Sequence, residues 1–170
     1  MTILFVINLF MNNDNTLEVK TMYGLLLFFH LTGLSIWLGS LVAVIVMLTM
    51  MKKHIASPEI GQLAQKTVKI FNFLTHPSSF VVLISGVLLI VDMGLIRSAK
   101  PFWMHYMEEV GGMFILLFIV LLSILGKKLV VKLTAGDQLD IRSGMARYLS
   151  GMMVSVVCVL SVVFIVAVKL

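Results

Sequence analysis

The residues of this 170-residue chain best suited to chemistry are its four histidines: His30, His54, His76 and His105. Imidazole ligates metals through either ring nitrogen and is a standard axial ligand of haem iron. Three of the four, His30, His76 and His105, fall within or at the edge of long apolar runs. His54 follows Lys52-Lys53 in a basic stretch and reads as solvated. An ionisable residue at membrane depth is costly without a partner, so it is a functional candidate by default. The competing reading is a neutral histidine bonded to a neighbouring helix. Three such residues in one small bundle shift the balance toward a ligand role.

Their surroundings narrow the chemistry. His30, Gly33 and Trp37 share one helical face, because residues three, four and seven apart stack on the same side. A glycine one turn from a histidine leaves room for a flat ligand such as a porphyrin. It equally leaves room for a partner helix. His76, Ser79, Leu83 and Gly86 repeat this theme. Glu108 and Glu109 follow His105 by three and four residues, within reach on a helix. One could orient the imidazole, or both could join it in an outward-facing copper site; the alternative is that both acids are simply wet. Thirteen methionines mostly fill gaps between helices, and Met104 and Met107 beside His105 are the exceptions with ligand potential. The single cysteine, Cys158, allows no internal disulfide and reads as packing. No phosphate loop, CxxC pair or nucleophile triad is present.

The elements that must position these residues follow from composition. Sixty per cent of residues are apolar and 12% are charged, about half the charge density a soluble surface carries. Four runs are long enough to cross a membrane: Thr21–Met51, Ile70–Val91, Val110–Gly126 extended by Pro101–Met107, and Tyr148–Ala167. They predict an all-α, integral membrane four-helix bundle, antiparallel and up-and-down, with helices over about 21–51, 58–94, 101–128 and 146–169. Residues 1–20 read as an interfacial or loosely ordered segment ahead of the 21–170 transmembrane domain. Ser57-Pro58-Glu59 has the form of a helix start, and Pro77 is a potential kink.

Charge sets the expected topology. Lys52, Lys53, Lys66, Lys69, Lys127, Lys128, Lys132, Arg142 and Arg147 lie on one side. Lys20, Arg97, Lys100 and Lys169 lie on the other. The richer side is expected in the cytoplasm, with both termini outside the cell membrane. The net charge of +5 therefore reads as topology, and lipid rather than nucleic acid is the expected partner. At about 1.5 Å per residue, His30 and His105 lie roughly 9 and 13 Å outward of their helix midpoints, and His76 roughly 7 Å the other way. His30 with His105 is thus the better pair of axial ligands, and His30 with His76 the alternative.

In order along the chain, His30 with Trp37 and Gly39, Thr75-His76-Pro77 with Gly86, Trp103-x-His105, and Arg147 resemble the HemJ-type protoporphyrinogen oxidases and the related CopD-like copper-resistance membrane domains. The similarity covers roughly Tyr23 to Leu170. It implies a small helical bundle holding haem b, with His30 as a ligand and Arg147 available to a propionate unless it is a membrane anchor. The oxidases carry an Arg and a His near the end of helix one, where this chain has Val46 and Met51. They also carry a Lys after the Trp-x-His element, where this chain has Met107. The leading expectation is therefore a bis-histidine haem b protein acting in electron transfer, haem handling or redox sensing, with a redox partner in the membrane. The alternatives are copper handling and protoporphyrinogen oxidation.

Overall fold

The computed structural model describes the backbone of residues 2–92 and 101–169, and the side chains of residues 21–91 and 101–169. The expected helix end near residue 94 and the side chains of Lys20, Arg97 and Lys100 lie outside the described residues, whereas the first helix, expected from about residue 21, already begins at Thr2. Five α-helices follow one another: α1 (Thr2–Met51), α2 (Pro58–Asp92), α3 (Phe102–His105), α4 (Gly112–Ala135) and α5 (Gln138–Val168). A short 3-10 turn, Lys52–His54, follows α1, and a π-helical turn, Tyr106–Gly111, joins α3 to α4. No strand occurs among the described residues.

Four stretches, Thr21–His54, Pro58–Val91, Phe102–Ala135 and Gln138–Val168, are long and apolar enough to cross a membrane. A helix of 34 residues is about 51 Å long, so the basic ends extend beyond a hydrocarbon core of about 30 Å. This explains why α4 and α5 outrun their apolar segments. Their ends are set instead by local capping. Gly136 closes α4 at φ 82°, a left-handed conformation that glycine adopts without strain. Asp137 then caps α5, its side chain accepting from the backbone N–H groups of Leu139 and Asp140. At the start of α2, Ser57 stands in the capping position but donates its hydroxyl to Glu59 at 2.8 Å.

The helices form a closed ring in which α1 packs on α2, α2 on α4, α4 on α5 and α5 on α1. This is the all-α four-helix bundle, and the short connections make each neighbour antiparallel. Inward stripes at helical spacing build the core: Trp37, Leu41, Val44 and Leu48 on α1, and Met145, Tyr148, Met152 and Val159 on α5. The outside is apolar as well, with Phe28, Phe73, Val120 and Val157 among many exposed large side chains. Lipid covers such a surface at little cost, and water does not.

Small residues let the helices approach. A Cβ on Gly33 would sit 2.9 Å from Val82 and 3.1 Å from the Ser78 carbonyl oxygen. One on Gly126 would meet Asn72, Val68 and the Tyr148 ring at 3.1–3.4 Å. Gly126 is thus the point where α2, α4 and α5 converge. Pro77 lies inside α2 and withholds the N–H that Phe73 would otherwise bond. Around it, Ser78 donates to the Leu74 and Thr75 carbonyls, and Ser79 to those of Thr75 and His76.

Candidate functional site

The bundle has two unlike ends. We call the end where α5 finishes the upper end, and the end holding the α1–α2 and α4–α5 connections the lower end. The upper half contains a cavity of about 420 Å³ walled by all four spans, a size typical of ligand and cofactor sites. Its lining is almost wholly apolar, and Tyr23, His30, Trp103 and Glu108 bring the polar groups.

His30 reaches this cavity from α1. Its Nδ1 lies 3.0 Å from the Val82 carbonyl oxygen and 3.2 Å from Ser85 Oγ on α2. A carbonyl only accepts, so Nδ1 carries the proton and donates. In the neutral ring Nε2 is then the lone-pair nitrogen. Metal-ligating histidines are characteristically held this way, with the second nitrogen donating to a backbone carbonyl that fixes tautomer and ring orientation. The ring lies against Gly86, whose Cβ would stand 3.1 Å from His30 Cε1. Gly86 therefore makes room for the imidazole itself.

The wall opposite is built by α3 and the π turn. Met104, Met107, Glu108 and Gly111 all line the cavity. A π turn spends an extra residue per turn and recurs at functional sites. Nothing in the apolar periodicity announces it. Met104 and Met107, whose thioethers are soft donors, line the same cavity as His30.

The other candidate residues lie elsewhere. His76 does not line the cavity; its Nε2 is 3.2 Å from Ser123 Oγ on α4, six residues below Val82, or about 9 Å. His105 is half-buried and is not among the lining residues. Neither expected bis-histidine pair is therefore gathered in this cavity. Gly33 accommodates α2, not a flat ligand, because Val82 and Ser78 already fill the space beside it. Trp37 is fully buried in the core below the cavity. Arg147 is exposed and twelve residues along α5 from Val159, the first lining residue of that helix, about 18 Å away along the axis. That distance removes it from any group held in the cavity and suits a lower-end anchor.

Among the described residues, no three His, Cys, Asp or Glu side chains converge to hold a metal ion. His105, Glu108 and Glu109 thus do not assemble the copper site considered from spacing. No lysine or arginine is found among the described lining residues. No family model, no curated protein and no solved structure matches this chain.

Proposed function

We propose that this chain is a membrane protein that binds haem b in its upper cavity, with His30 as an axial ligand. The observation that carries this reading is the His30 geometry: Nδ1 held by Val82 O at the wall of an apolar cavity. The resemblance described above supports the same cofactor. His30 would hold the iron through Nε2, and Met104 or Met107 is better placed than His105 or His76 to supply a second donor. The apolar walls would keep water out, and the Val82 carbonyl would raise the basicity of the imidazole. Bound haem would supply one-electron exchange, which suits electron transfer, haem handling or redox sensing. With no lysine or arginine among the described lining residues, charged edges of the cofactor belong at the open side of the cavity. By the distribution of basic residues, the upper end that holds the cavity would face outward from the cell membrane.

The test is a visible absorption spectrum of detergent-purified protein grown with ample haem, oxidised and then dithionite-reduced. A Soret band that sharpens into b-type bands on reduction is expected. A featureless spectrum in both states would sink the reading.

A further inference from the structure

Of the lysines and arginines at the lower end, only Lys132 has an acid partner among the described residues, Asp140. The acids of that end are all engaged: Glu59 accepts from Ser57, Asp137 caps α5, and Asp140 pairs with Lys132. Two of the remaining cations, Lys69 and Lys127, stand where apolar segments begin and end. Ile70–Val91 starts directly after Lys69, and Val110–Gly126 stops directly before Lys127; neither segment contains a charged residue. Both lysines are exposed, and neither makes an ion pair or hydrogen bond among the described residues.

Contacts between α2 and α4 bring the two lysines to one groove. A Cβ on Gly126 would lie 3.3 Å from Val68 and 3.1 Å from Asn72 Nδ2, so the helices touch there. Lys69 is the residue after Val68, and Lys127 the residue after Gly126. Each residue turns about 100° around a helix, and in an antiparallel pair the residues following two contact residues turn to the same side. Both lysines are exposed, so that side is the outer one. The same rule holds higher up, where His76 meets Ser123 at 3.2 Å and the residues that follow, Pro77 and Ile124, are exposed. At helical spacing, Phe73 and Phe80 share the face of Lys69, and Ile124 and Val120 that of Lys127. All four are exposed. The outer α2–α4 groove thus has two cations at its foot and apolar walls above them.

A free anion would match the cations and not the walls; an uncharged acyl chain would match the walls and not the cations. A phospholipid carries both parts in this order, with its phosphate at the membrane boundary and its chains toward the bilayer centre. We infer that the groove seats one anionic phospholipid, its phosphate between Lys69 and Lys127 and an acyl chain along Phe73, Phe80, Ile124 and Val120. A zwitterionic headgroup also carries a phosphate, but its ammonium is repelled by the two lysines, so the site selects a headgroup with net negative charge. Basic side chains at a membrane surface favour anionic lipid by roughly fivefold per cation. The site requires the chain to span a membrane and is independent of what the cavity holds.

Native mass spectrometry of the full-length protein in detergent, titrated separately with phosphatidylglycerol and phosphatidylcholine, is the test. The native chain is expected to retain one phosphatidylglycerol in preference to phosphatidylcholine. Lys69→Gln combined with Lys127→Gln should weaken that retention about thirtyfold, at roughly fivefold per cation. Lys53→Gln combined with Arg142→Gln removes equal charge from exposed positions of the same end and should leave retention nearly unchanged. Excess inorganic phosphate should not displace the lipid. Equal loss in both double variants would make the attraction a property of the whole basic rim and overturn the groove site. No loss in the first double variant, no preference for phosphatidylglycerol, or displacement by inorganic phosphate would overturn it as well.

Discussion

The lower half of the bundle is packed and the upper half is hollow. Below, Leu41, Leu48, Val68, Leu129 and Met145 are all at most 1% exposed, and Gly126 brings three helices together. Above, the same four helices surround a cavity, one wall of which is a π turn. Apolar side chains build the lower core and line the upper cavity alike, so hydrophobicity alone does not separate scaffold from site. What separates them is where small residues sit and what they face. Gly126 faces other helices, whereas Gly86 faces an imidazole.

On the haem-binding function proposed above, perturbing the upper half should change the absorption spectrum far more than the fold. His30→Ala is expected to abolish or grossly alter haem absorbance while folding is retained, since an interhelical hydrogen bond in a membrane contributes only about 0.6 to 2 kcal/mol. An unchanged spectrum would remove His30 as ligand. The next largest effect belongs to the helix contact just below. Gly33→Leu must push α2 away from α1, with a loss of about 1–3 kcal/mol or more, read as a lowered thermal midpoint.

Smaller effects sharpen the contrast from the lower side. Asp137→Ala removes the cap of α5 and should lower stability by about 1 kcal/mol with no change in the absorption spectrum. A spectral change from this variant would mean that the halves are coupled. Ser123→Ala breaks the contact with His76 and should cost about 0.6 kcal/mol, measured by denaturant unfolding in detergent. It too should leave the spectrum untouched. Haem loss in Ser123→Ala would instead make His76 a ligand. The exposed Lys132–Asp140 pair at 3.3 Å should matter least: Asp140→Asn is expected to shift the unfolding free energy by no more than about 0.5 kcal/mol.

Particular residues show how far the sequence could be read. His30 stood out because a histidine in an uncharged run demands a partner, and the structure supplies one in Val82 O. His76 stood out for the same reason, yet its partner is Ser123, the interhelical bond that was the competing reading. Gly33 left two readings open, a flat ligand or a helix, and the structure fills the space with α2. Met104 and Met107 flank His105 in the sequence. Their approach to the cavity wall depends on a π turn, which leaves no periodic trace.

Four long apolar helices, their antiparallel order and a histidine that needs a partner are all legible in the order of residues alone. Those follow from burial energetics and chain connectivity, which act residue by residue and segment by segment. Which glycine faces a helix and which an imidazole, and which histidine meets a cavity, emerge only from the packed bundle. These depend on the rotation and height of each helix against its neighbours. Interhelical packing sets both, and no single segment encodes it.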